Sequence, residues 1–256
     1  MSSSTQTGAA RGKVVIVDDP DALAEAAATA FEVATNEAVR ARGRAFVALS
    51  GGSTPKRMGA LLAGDRFREE IPWDRLELFW GDERWVPMAD PESNAGAARR
   101  GWIDRVPVPA ASVHPWPTEE GEPGAAAAAY AETLRRCFGV DDGLPRFDLV
   151  LLGMGDDGHT ASLFPRTRAL AERERLAVDN FVPKLGASRL TLTVPVLNAG
   201  REVVFLAAGD GKAETLRDVL EGPARPDDLP SQLISPTAGP PVWLVDRAAA
   251  RLLRRE

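Results

Sequence analysis

Apolar residues in this chain fall into short unbroken runs, separated by longer stretches where they recur every three or four positions. Such a pattern predicts strands alternating with helices. Residues 13–17 form a β-branched run, and Asp19-Pro20-Asp21 then supplies a cap and first turn for an alanine-rich helix ending near Gly43. Residues 45–50 read as a buried strand closed by Gly51-Gly52, followed by a short helix over 55–63. Residues 76–80 are a further buried strand, 93–106 a helix, 113–116 a short strand and 124–138 a helix containing five consecutive alanines. In 147–152 every residue but Asp148 is apolar, as in a parallel strand covered on both faces. Residues 190–194 alternate Leu and Thr, 203–208 form another buried strand, 212–220 a helix, 242–245 a strand, and an arginine-rich helix ends the chain.

This order implies an α/β fold of three layers, a mainly parallel sheet with helices on both faces. The proline-rich stretches 106–117 and 222–230 read as loops and no repeat is evident, so residues 13–256 are expected to form a single domain. Residues 1–12, rich in Ser, Thr, Gly and Ala, are expected to be a disordered tail and not a signal peptide.

Composition narrows the function classes. A chain of 256 residues with 44% hydrophobic and 27% charged residues is long enough for a substantial core. The net charge of −6 opposes a nucleic-acid backbone, so any phosphate must be met by local donors. One cysteine, Cys137, excludes an internal disulfide, and with only His114 and His159 a Cys/His zinc site is not expected. No apolar run reaches the roughly 18 residues of a bilayer span. The expectation is a cytoplasmic protein without a membrane partner.

In parallel sheets, ligands bind beyond the carboxyl ends of the strands, and four such loops carry unusual chemistry. Ser50-Gly51-Gly52-Ser53-Thr54-Pro55 joins a strand to a helix; its glycines admit a close ligand, Thr54 can cap the helix, and several amides can converge on an anion. An ordinary capped turn is equally compatible. Gly81-Asp82-Glu83-Arg84 sets two carboxylates and a guanidinium at a strand end, suited to proton transfer or sugar and phosphate binding, or to a solvated turn with local ion pairs. Gly153-Met154-Gly155-Asp156-Asp157-Gly158-His159 formally matches a dinucleotide fingerprint, but its two aspartates would repel a pyrophosphate. The better reading makes His159 a proton shuttle whose tautomer Asp157 fixes. His114, in a proline-rich loop, reads as structural. Gly209-Asp210-Gly211-Lys212 opens a helix, and Lys212 is one of only four lysines among 31 basic residues, suited to a phosphate charge.

Taken together, the Ser50–Pro55 block, Asp82-Glu83-Arg84 with Ser93-Asn94, Gly155-Asp156-Asp157-Gly158-His159-Thr160-Ala161-Ser162-Leu163-Phe164-Pro165, Arg189-Leu190-Thr191-Leu192-Thr193 and Gly211-Lys212 closely resemble the 6-phosphogluconolactonases of the glucosamine-6-phosphate isomerase/6-phosphogluconolactonase superfamily. The resemblance covers most of the chain, with all blocks in order. It implies a Rossmann-like three-layer fold similar to glucosamine-6-phosphate deaminase. It also implies a cofactor-independent esterase that hydrolyses 6-phosphoglucono-δ-lactone to 6-phosphogluconate in the oxidative pentose phosphate pathway; a monomer without metal is expected. Catalysis is assigned to His159, Asp157 and Asp82. Binding of the sugar phosphate is assigned to Gly51, Gly52, Ser53, Thr54, Arg84, Asn94, Arg189 and Lys212. The alternatives are a glucosamine-6-phosphate deaminase and a non-catalytic sugar-phosphate-binding regulator. The deaminases continue the Asp-Gly-His block through Asn-Glu-Pro, where Ser162-Leu163-Phe164-Pro165 supplies no carboxylate.

Overall fold

The computed structural model describes residues 5–9, 11–119 and 121–254, with side chains from residue 11 onward in that set. Its strands are β1 (Thr5–Ala9), β2 (Gly12–Val17), β3 (Ala45–Leu49), β4 (Leu76–Trp80), β5 (Asp82–Arg84), β6 (Leu149–Gly153), β7 (Ala177–Val182), β8 (Ala187–Leu192), β9 (Glu202–Ala207) and β10 (Val242–Asp246). Its helices are α1 (Pro20–Arg42), α2 (Ser53–Leu62), α3 (Asp65–Glu70), α4 (Asn94–Gly101), α5 (Pro123–Phe138), α6 (Val194–Asn198) and α7 (Ala213–Glu221).

Local signals explain the main elements. The Asp19 carboxylate accepts from the amides of Asp21 and Ala22 at 3.0 and 2.8 Å, Pro20 opens α1, and Gly43 ends it at φ 78°. Leu149 to Leu152 in β6 are all fully buried, so both faces of this strand are covered. Asp148, the one polar residue in that run, is buried too. Its carboxylate accepts from the Phe46 amide at 2.9 Å and pairs with Arg42 and Arg201.

The main sheet runs β1-β2-β10-β9-β6-β3-β4, parallel except for β1 at the edge. Helices flank it, with α1 packed across β10, β9, β6 and β3. From β3 the chain steps to β4 on one side, and from β6 to β9 on the other. The topological switch point therefore lies between β3 and β6, where the loops after both strands flank one crevice. A second, antiparallel sheet of order β5-β8-β7 stands beside it.

Several expectations differ here. Thr5–Ala9 is an edge strand pairing with β2, where the sequence suggests a tail; residues 1–4 and 10 of that segment lie outside the described residues. The strand expected over 113–116 reduces to a single bridge between Val113 and Leu78. The alternating Leu/Thr strand belongs to the small antiparallel sheet, but the wetter face expected of it is absent: Leu190, Thr191, Leu192 and Thr193 are all fully buried between that sheet and its neighbours. The helix expected over 93–106 is α4 followed by a separate short turn, Ile103–Arg105, and the C-terminal helix is one such turn, Ala249–Leu252. Among the described residues, no helix is long and apolar enough to cross a membrane.

The double amide contact of Asp19 generates a stability test. Asp19→Ala is expected to destabilise the protein by about 1 kcal/mol in urea unfolding; a change under a few tenths would show that the cap contributes nothing.

Candidate active site

Loops from four adjacent strands, β9, β6, β3 and β4, meet over the switch point, and the small sheet supplies a further wall. After β3, Gly51 has no alternative in place: a Cβ there would fall 1.8 Å from Asn94 Oδ1. Gly52, at φ 111°, adopts a conformation that side chains rarely tolerate, and it is the N-cap of α2. The cap expected from Thr54 is absent. The helix starts two residues earlier than predicted, at Ser53, with no side-chain hydrogen bond at its cap. Its leading amides therefore remain available, with the positive end of the helix dipole behind them. Gly51 and Gly52 line the cavity, whereas Ser53 is exposed and Thr54 is buried in the first turn, neither among the lining residues.

After β4, the charged turn becomes β5, a strand hidden in the sequence by its charges. Asp82 is 8% exposed; its Oδ2 accepts from Ser162 Oγ at 2.7 Å and its carbonyl from Asn94 Nδ2 at 3.1 Å. Glu83, only 1% exposed, caps α4: its carboxylate accepts from the amides of Asn94 and Ala95 at 2.7 and 2.8 Å and from Ser93 Oγ at 3.2 Å. Burial raises its pKa, against the pull of those amides. Arg84 lies directly opposite Arg189 across the β5–β8 pair. Like charges facing each other across a ladder are unfavourable. The pKa of Arg189 is accordingly depressed, first by burial and then by Arg84. An anion between the two guanidiniums would offset the second cause, the repulsion from Arg84.

After β6, the chain turns back on itself, with the Gly155 amide donating to the His159 carbonyl at 2.8 Å. His159 Nδ1 lies 2.5 Å from Asp157 Oδ1. The other carboxylate oxygen accepts from Lys184 Nζ at 3.0 Å. Asp157 is held well below the usual carboxylate range, chiefly by the hydrogen bond from His159, with Lys184 assisting. The imidazole is 28% exposed. Gly155 makes its seat possible, since a Cβ there would fall 2.0 Å from Nδ1.

After β9, Gly209 at φ 92° donates its amide to Asp246, and Lys212 Nζ pairs with Asp156. Lys212 therefore carries a carboxylate partner that the sequence reading does not give it.

Two adjoining hollows of about 280 and 300 Å³ share Asp82, Arg84, His159 and Ala161. The first adds Gly51, Gly52, Asn94 and Lys212; the second adds Asp157, Lys184 and Arg189. All the sequence-derived candidates except Ser53 and Thr54 thus converge here. Lys184, Ser162 and the face of Phe164 were not singled out from sequence. Ser162 and Phe164 stand in the family block without a role, and Lys184, one of the four lysines, reaches Asp157 from the tip of the β7–β8 hairpin. His114 packs as expected of a structural histidine: Nε2 lies 2.8 Å from Glu77 Oε2 and the ring stacks on Phe79.

Residues 18–243 match the family described as glucosamine-6-phosphate isomerases/6-phosphogluconolactonase. A 6-phosphogluconolactonase of Synechocystis sp. is 42% identical over 94% of this chain and 98% of its own length. The solved 6-phosphogluconolactonase of Trypanosoma cruzi superposes with a TM-score of 0.84 at 28% identity, covering 97% of this chain and 99% of that one. A monomeric glucosamine-6-phosphate deaminase shares the fold at TM-score 0.76 and 21% identity, over 93% of this chain and 99% of its own.

The depressed carboxyl of Asp157 fixes the sign of a pH effect. Its contribution to stability is complete above the unfolded value of about 3.9 and is lost as pH falls from there toward the folded value. The Tm gap between the parent and Asp157→Asn is therefore expected to narrow as pH drops below about 4. Thermal melts across that range check it, and a gap that widens on acidification would contradict it.

Proposed function

The chain belongs to the glucosamine-6-phosphate isomerase/6-phosphogluconolactonase family, and from that premise we propose that His159 is the general base and acid of its reaction. The protein is a 6-phosphogluconolactonase, hydrolysing 6-phosphoglucono-δ-lactone to 6-phosphogluconate in the pentose phosphate pathway. The observation that carries the mechanism is the 2.5 Å contact between His159 Nδ1 and Asp157. An ionised carboxylate only accepts hydrogen bonds, so Nδ1 carries the proton and Nε2 keeps its lone pair. Nε2 has no protein partner among the described residues, and the ring lines both hollows.

The steps follow from that tautomer. Nε2 takes a proton from water as the water oxygen bonds to the lactone carbonyl carbon, leaving a tetrahedral oxyanion. Collapse of the oxyanion breaks the bond from carbon to the ring oxygen, which receives the proton back from Nε2. The new carboxyl group then ionises to solvent. Acid–base catalysis of this kind contributes roughly 10²–10⁴ in rate.

Binding falls to the cationic wall. The amides of Gly51 to Thr54 at the start of α2, with Lys212, take the 6-phosphate, and Arg84 or Arg189 shares it. For Ser53 and Thr54 this role rests on backbone amides, since neither side chain lines the hollow. Binding of the phosphate releases Lys212 from Asp156. Asp82 and Asn94 orient sugar hydroxyls or the attacking water. We read residues 13–256 as one domain, since the chain passes through Gly81 alone from β4, at the edge of the main sheet, into β5, at the edge of the small one. We read the protein as a cytoplasmic monomer; its net charge of −6 supports a small sugar phosphate, not nucleic acid, as its ligand.

His159→Ala is expected to lower kcat by roughly 10²–10⁴ while product still competes for the site. Activity is measured as lactone hydrolysis above the spontaneous background, with glucosamine 6-phosphate assayed in parallel. A rate within a few-fold of the parent would remove His159 from the mechanism. Lys212→Ala is expected to raise KM about tenfold or more, with kcat changed much less. No change in KM or in inhibition by phosphorylated sugars would move the phosphate elsewhere.

A further inference from the structure

The Phe164 ring lies 4.0 Å from that of His159, centroid to centroid, with the planes 20° apart. Phe164 is 8% exposed, so the imidazole face it covers is screened from water. The backbone around it is under tension. Among the described residues, the only non-glycine residues at positive φ are Ala161 at 46° and Arg166 at 57°, one on each side of Phe164. Such strain persists only where surrounding contacts over-determine it. Here the Leu163 amide donates to the Thr160 carbonyl at 2.9 Å, and Asn180 Nδ2 to the Ser162 carbonyl at 2.9 Å. Thr167 Oγ1 donates to the Phe164 carbonyl at 2.7 Å, and the Arg166 amide to the Asp227 carbonyl at 3.0 Å.

We propose that Phe164 is a positioning residue for His159, its aromatic face fixing the imidazole plane and favouring the imidazolium formed once Nε2 has taken a proton from water. Asp157 holds the ring in its own plane through Nδ1, Gly155 leaves room on the Nδ1–Cε1 side, and Phe164 closes one face. An in-plane hydrogen bond alone lets the ring rotate about that bond; a stacked face removes the freedom. The face also carries the negative side of the ring quadrupole, which attracts a cation and is indifferent to the neutral base. The proposal rests on the reading of His159 as base.

The other charged groups around the imidazole are Asp156 and Asp157 in its own loop, Lys184 from the β7–β8 hairpin, Asp82 and Arg84 from β5, and Arg189 from β8. Lys212, paired with Asp156, stands on the phosphate side. None of them is altered by a change at Phe164, so a shift in the imidazole titration reports on the face itself.

The sign follows. Phe164→Leu keeps an apolar neighbour but removes the π face, so the protonated imidazole loses an attraction and its pKa falls. The expected result is a drop of roughly half a pH unit in the His159 titration and in the acidic limb of kcat/KM. With it kcat falls roughly tenfold and KM stays within about twofold. Phe164→Tyr, which keeps the face, is expected to restore the titration and most of kcat; Phe164→Met serves as the second non-aromatic variant if Leu folds poorly. Proton NMR follows the titration directly, because a His114→Gln background leaves a single imidazole. An unshifted His159 titration in both non-aromatic variants, or a Tyr variant as impaired as Leu, would overturn the proposal. Retained activity in His159→Ala would instead sink the base assignment, while the imidazole titration would still test the stack.

Discussion

One carboxylate decides which nitrogen of one imidazole keeps its lone pair. Asp157 can only accept, so its contact with Nδ1 commits the ring proton to that side and leaves Nε2 as the lone-pair donor toward the hollows. The loop around it serves that commitment. Gly155 and Gly158 let the chain double back within five residues, and the Gly155 amide closes the turn on the carbonyl of His159 itself. Lys184 then occupies the second carboxylate oxygen, so Asp157 remains ionised and has no oxygen free to turn elsewhere.

The surrounding scaffold makes this arrangement precise. The loops after β3 and β6 flank the point where the order of the parallel strands reverses, so the glycine turn and the histidine turn are brought together by topology and not by proximity in sequence. Glu83 joins the second sheet to this frame. Buried at the start of α4, it holds Asn94 in place through its amide, and Asn94 in turn packs against Gly51 and bonds to the carbonyl of Asp82. A carboxylate whose own ionisation is disfavoured by burial is sustained there by a helix terminus.

Much of this could be read from the amino acids. Parallel strands covered on both faces leave unbroken apolar runs, and capped helices announce their ends, so β3, β4, β6, β9, β10 and α1 were legible. The three-stranded sheet was not. Asp82–Arg84 is a strand because Leu190 and its neighbours pair with it, and three charged residues give no local sign of that partner. In β7 the central Asp179-Asn180 masks a strand whose Asn180 is fully buried because it bonds to Ser162 and Thr167. The same reason hid part of the site. His159 and Asp157 are two residues apart, whereas Lys184 reaches them across 27 residues, through a hairpin whose existence had first to be known.

The facing guanidiniums of Arg84 and Arg189 have a consequence for the protein between turnovers. They sit near the end of a short ladder of three residue pairs, extended by one backbone hydrogen bond on each side, from Trp85 to Ser188 and from Leu192 to Gly81. The repulsion is only partly offset by Asp82, Glu83 and Glu92 nearby, and an anion held between the two guanidiniums would turn it into a bridge. On that reading, occupancy and cohesion of the small sheet would rise together, and a substrate analogue would also be a fastener for the wall that receives it.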